Sequence, residues 1–97
     1  MKYYHGTSTP DVIVNAIIGN GILRQGFHLT PSLEIARNYG SSVVEIEIES
    51  DLTKAHVGLI NKDGNFNKNT GNGIEVVLAS PAAINEFYSV VVDAQII

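Results

Sequence analysis

Residues 44–49, Val-Glu-Ile-Glu-Ile-Glu, alternate strictly between branched apolar and acidic side chains. A period of two puts every apolar side chain on one face of an extended strand and every carboxylate on the other. The stretch therefore predicts a half-buried antiparallel strand with a wet glutamate face. Such a strand needs partners, and the chain offers several. Residues 2–5 form a short aromatic run ended by Gly6, and residues 27–30 lie between Gly26 and Pro31. Residues 56–60, 75–79 and 87–92 are further runs of strand length. Helical signals are fewer. Thr9-Pro10 is a cap followed by proline, which opens a helix over 10–18 with Ile13 and Ile17 on one face and Gly19 as its stop. Thr30-Pro31 repeats that signal and predicts a helix to Tyr39, closed by Gly40, with Leu33, Ile35, Ala36 and Tyr39 on its apolar side. Pro81 begins a short helix or turn. Strands outnumber helices and their connections read as antiparallel, so the class is α+β.

Ninety-seven residues fit one domain, taken as 1–97. With 44% hydrophobic and 16% charged residues, the chain is globular and not disordered. The absence of cysteine excludes a disulfide framework, a thiol nucleophile and any Cys-based metal site, and it fits a reducing compartment. Ten acidic residues against six basic leave little for a polyanion-binding face. The apolar run 12–18 is too short to span a bilayer and contains Asn15, and residues 2–6 do not read as a signal peptide. A cytoplasmic protein without a membrane partner is expected.

Several motifs fail on inspection. Gly19-Asn20-Gly21 follows a helix and has Arg24 where a dinucleotide fingerprint needs its third glycine. Asp63, Asn65, Asn67 and Asn69 have the rhythm of a calcium loop, but Lys68 and Ile74 occupy its glycine and glutamate positions. Three histidines without helical pairing carry no zinc signature, and no metal is expected. The Asn- and Gly-rich stretch 61–73 reads as a loop.

Three segments remain that packing alone does not account for: Tyr4-His5-Gly6-Thr7, residues 26–40, and Gly73-Ile74-Glu75-Val76-Val77-Leu78. They supply two imidazoles, an aromatic ring, a glycine that permits close approach, and one acid, an inventory suited to a planar, hydroxyl-rich ligand. Each residue also has a plainer reading. His5, His28 and His56 can be structural histidines, Tyr39 core, and Glu75 a solvated charge beside a strand start.

Their order and spacing resemble the ADP-ribosyltransferase superfamily, in the diphtheria-toxin-like and poly(ADP-ribose)-polymerase-like branch with a His–Tyr–Glu triad. His5-Gly6-Thr7 is similar to the opening strand motif, Gly26-Phe27-His28-Leu29-Thr30 to the second motif, and Ala36-Arg37-Asn38-Tyr39-Gly40 to the helix whose last tyrosine stacks on nicotinamide. Glu75-Val76-Val77-Leu78, with Ile84, Asn85 and Tyr88 beyond it, is similar to the glutamate strand and its sequel. The resemblance implies a minimal fold with a mainly antiparallel split sheet and two or three short helices. It further implies NAD as co-substrate, no metal, and transfer of ADP-ribose to a macromolecular acceptor, a protein sooner than a nucleic acid. Glu75 and His28 would be catalytic, and His5, Gly6, Thr7, His28 and Tyr39 would hold NAD. His5 would bond a ribose hydroxyl, Gly6 would meet the carboxamide through its backbone, and a neutral His28 would stack in the tyrosine's place.

Departures accompany the likeness. His28 replaces the usual tyrosine, Ala36 stands where a serine is common, and Gly73 is not the acidic or amide residue of arginine-directed relatives. His28-Leu29-Thr30-Pro31 is also similar to a motif of the tRNA 2′-phosphotransferases, which use arginines on the phosphate; here only Arg24 and Arg37 exist. A degenerate module that binds NAD or ADP-ribose, and an adaptor without ligand chemistry, complete the alternatives.

Overall fold

The alternating segment folds as its pattern requires. β3 (Ser42–Ile48) is the central strand of a sheet, flanked antiparallel by β1 (Lys2–Thr7) and β6 (Val91–Ile96). Val44, Ile46 and Ile48 are fully buried, while Glu45 and Glu47 face outward. A second antiparallel sheet has β5 (Gly73–Leu78) between β2 (Phe27–Leu29) and β4 (His56–Ile60). Three helices complete the α+β fold: α1 (Pro10–Ile18), α2 (Leu33–Ala36) and α3 (Pro81–Val90). This computed structural model describes residues 1–60 and 73–97, without the side chains of 59 and 60. The loop expected over 61–73 lies outside the described residues except for Gly73, which opens β5.

Helix α1 has the bounds its cap-plus-proline signal predicts, but its ends are made differently. Thr9 makes no side-chain cap bond; Thr7 Oγ1 accepts instead from the Thr9 amide at 3.0 Å. Gly19 ends the helix at φ −112°, outside the left-handed region. The Asn15 carbonyl accepts from both the Gly19 and Gly21 amides, and its side-chain oxygen accepts from the Asn20 amide.

Two expectations are corrected. The helix predicted from Thr30-Pro31 to Tyr39 is a single turn, Leu33–Ala36, and its cap is Ser32, whose Oγ accepts from the Ile35 amide at 3.2 Å. A residue before proline is disfavoured in helical geometry. Thr30 is accordingly extended into a bridge with Tyr4, and its hydroxyl donates to the Ile74 carbonyl at 2.7 Å. Beyond Ala36 the chain tightens, with the Asn38 and Tyr39 amides bonding carbonyls three residues back. The second correction concerns 87–92. The β-branched run suggests a strand from Phe87, yet residues 87–90 belong to α3, because Ala83, Ile84 and Phe87 bury one helical face. Ser80 Oγ caps that helix by accepting from the Ala83 amide.

One hydrophobic cluster joins both sheets to α1 and α3, with Leu29, Ile46, Ile48, Leu78 and Phe87 almost completely buried. Burying a side chain of that size contributes roughly 1.5–3 kcal/mol each. Tyr88 ties the same layers by polar bonds, donating to the Ala16 carbonyl and accepting from the Leu23 amide. Among the described residues no helix is long and apolar enough to cross a membrane.

Candidate functional site

The two sheets meet at one point and then part. Tyr4 and Thr30 exchange both backbone hydrogen bonds, at 2.7 and 2.9 Å, and no further pair between β1 and β2 follows. In a continued antiparallel ladder the next bonded pair would be Gly6 with His28. The His28 carbonyl instead accepts from His5 Nδ1, so a side chain wedges the strands open. Gly6 lies two residues after Tyr4, which turns its amide and carbonyl to the same side, into the split.

That split is the mouth of a cleft of about 490 Å³, a size that suits a small organic ligand. His5, Gly6, His28, Tyr39 and Glu75 all line it, as do Val12 and Ala16 of α1 and the loop from Ile22 to Gly26. Among the expected site residues Thr7 alone does not: it is buried, and its hydroxyl serves the turn into α1.

Each side chain owes its place to a specific contact. His5 is half-buried and stacked on Phe27, with ring centroids 4.3 Å apart. Burial there lowers its pKa, only partly opposed by the bond to the His28 carbonyl, with the His28 ring lowering it further. The carbonyl can only accept, so Nδ1 carries the proton and Nε2 of the neutral ring carries a lone pair. Tyr39 is positioned by two glycines. A Cβ on Gly6 would lie 1.8 Å from the Ala36 carbonyl oxygen, and one on Gly40 would lie 2.4–2.6 Å from three backbone atoms of Thr7. The end of α2 therefore packs directly on the β1 backbone, and this gives Gly6 a reason to be glycine that is independent of any ligand. The Tyr39 phenol is shifted above its ordinary value, first by burial and then by the negative charge of Glu75.

Glu75 and His28 come together through sheet register. His28 pairs with Val77, so Glu75, two residues back along β5, is its diagonal neighbour on the same face. His28 Nδ1 donates to Glu75 Oε1 at 2.8 Å; the carboxylate is only 13% exposed and the imidazole 52%. Thr30 steadies this strand by bonding the Ile74 carbonyl beside Glu75. His56 also pairs with Val77 and shares that face from β4, but it does not line the cleft.

Sequence reasoning missed Phe27, Thr30 and Arg24 as parts of the site. Phe27 stacks under His5, Thr30 joins the sheets, and Arg24 lines the cleft whereas Arg37 does not. The Gly26-Phe27 step was the available signal, since Gly26, at φ +89°, makes the turn that precedes β2. Among the described residues no three His, Asp or Glu side chains gather as a metal ion requires. No family model, curated protein or solved structure matches the chain.

Proposed function

We propose that the protein is an NAD-dependent mono-ADP-ribosyltransferase, which moves ADP-ribose from NAD to a protein acceptor and releases nicotinamide. The observation that carries this reading is the largely covered Glu75 carboxylate, which shares one cleft with His5, Gly6, His28 and Tyr39. These residues come from three distant stretches of chain, and their chemistry suits the parts of NAD one by one.

Departure of nicotinamide leaves the ribose with oxocarbenium character, as in glycoside hydrolysis. A carboxylate beside that growing positive charge stabilises the transition state more than the ground state, which is what acceleration requires. Glu75 does this in the proposed reaction. Its Oε2 makes no hydrogen bond among the described residues and is available to the ribose 2′-hydroxyl. His5 accepts from a hydroxyl of the adenosine ribose through Nε2, the nitrogen left over by its bond to the His28 carbonyl. The Gly6 amide and carbonyl, turned into the split, match the complementary acceptor and donor of the nicotinamide carboxamide. Tyr39 stacks on the pyridine ring, a contact contributing about 0.5–1.5 kcal/mol beyond area burial. His28 flanks the ring in neutral form, since an imidazolium would repel the pyridinium.

The phosphotransferase alternative is less well supported, because a 2′-phosphate needs clustered arginines and Arg37 lies outside the cleft. Incubation of the protein and a cell extract with NAD labelled on the adenylate tests the proposal. The expected result is free nicotinamide together with label on protein. NAD that binds but stays intact would mean a binding module, and NAD that neither binds nor reacts would sink the reading altogether.

A further inference from the structure

Resting on the transferase reading, we infer that Glu75 and His28 form a proton-accepting dyad that commits this site to a hydroxyl acceptor, with His28 Nε2 as the base. The pairing is an observation independent of that reading. Glu75 Oε1 accepts from His28 Nδ1 at 2.8 Å, which fixes the proton on Nδ1. The neutral ring then presents a lone pair at Nε2, which makes no hydrogen bond among the described residues, on a side chain 52% exposed within the cleft wall. A carboxylate that orients an imidazole and stabilises its protonated form is the arrangement by which a histidine becomes an effective base. The ring face remains available for stacking, because both nitrogens act through the ring edge.

In the reaction the ribose C1–nitrogen bond breaks and its electron pair leaves on the nicotinamide nitrogen, which discharges the pyridinium. The acceptor oxygen forms the new bond to C1, its proton passes to His28 Nε2, and the imidazolium later yields that proton to solvent. NAD and an alcohol thus give the O-linked ADP-ribosyl glycoside, nicotinamide and one proton. A hydroxyl needs such a base because it is poorly nucleophilic until the proton is lost. A carboxylate acceptor would leave the base idle, and a guanidinium would bring a second cation to the ring.

Among the described residues, the titratable or charged groups around His28 are Glu75 from β5, the His5 ring on its carbonyl from β1 and His56 across Val77 from β4, with Tyr39 and Arg24 lining the same cleft. Among the imidazoles of the described residues, His28 alone is bonded to Glu75.

The test measures nicotinamide release and products from NAD between pH 5 and 9, with methanol or agmatine as the offered acceptor. Wild type is expected to form the methyl glycoside of ADP-ribose and no agmatine adduct, at a rate that falls on the acid side as one group is protonated. His28→Gln should lower turnover on the order of 10²-fold with little change in KM, and should lose the acid limb. Added imidazole should restore His28→Ala, and His56→Gln should behave as wild type. A His28→Gln protein that keeps turnover and the acid limb, failure of imidazole to restore His28→Ala, or preference for agmatine overturns this assignment alone. Absence of nicotinamide release from wild type with every acceptor overturns it together with the transferase reading.

Discussion

Glu45 and Glu75 are both set among β-branched residues on the central strand of a three-stranded antiparallel sheet. Their side chains are comparably covered, 17% and 13% exposed. Burial therefore does not separate them; partners do. Glu45 accepts from Gln95 on one flanking strand at 3.0 Å and pairs with Lys2 on the other at 3.3 Å. The Gln95 bond first, and then Lys2, hold its carboxyl below the usual value, and the Lys2 ammonium is raised in return by the bond to Glu45. That charge is permanently matched. Glu75 instead has a single bond, from His28 Nδ1 at 2.8 Å, and its second oxygen makes none among the described residues. The same strand pattern thus yields a carboxylate with two partners on one sheet and a carboxylate with one on the other. The difference lies in what the flanking strands supply: Gln95 and Lys2 around Glu45, His28 and Gly58 around Glu75.

Glu75→Gln should show the contrast at its strongest. Nicotinamide release is expected to fall on the order of 10²- to 10³-fold with NAD affinity nearly unchanged, whereas Glu45→Gln should release nicotinamide at the wild-type rate. Equal losses in the two variants, measured by product formation and by titration with NAD, would falsify the distinction. A sharper intervention makes the second sheet imitate the first. His28→Lys installs a permanent cation beside Glu75, so NAD should bind about tenfold more weakly through repulsion of the pyridinium, as read by calorimetry. Affinity that holds or improves would show that the pyridinium is not bound there.

The smallest effect concerns His5, whose pKa is lowered by burial in the folded protein. The unfolded chain takes up this proton near the ordinary value of 6.5, before the folded protein does. Stability is therefore whole above that pH and is lost as pH falls through the lowered folded value. Urea midpoints collected from pH 7.5 downward should fall less steeply for His5→Gln than for wild type. Superimposable curves would remove His5 from the acid side of the stability profile.

Much of the scaffold was legible because its signals are local. The period-2 run of β3, the Pro10 start of α1 and the α+β class follow from residues within one turn or one strand of each other. The extent of α2 and the border between α3 and β6 were not. Pro31 gave the same cap signal as Pro10, but Thr30 was claimed by the bridge to Tyr4; residues 87–90 have strand-like composition, but Phe87 reaches the shared core only from a helix. The identities of His5, Gly6, His28, Tyr39 and Glu75 stood out by chemistry and order, while the removal of Thr7 from the cleft depended on a turn whose geometry no spacing reveals.

From sequence alone came the alternation, the helix starts and the list of groups able to do chemistry, since these depend on side chains a few positions apart. Tertiary structure decided which of those groups meet. His28 and Glu75 are 47 residues apart, and their hydrogen bond exists because β2 and β5 pair in one register. A one-residue slip would move Glu75 to the core face and leave His28 without it.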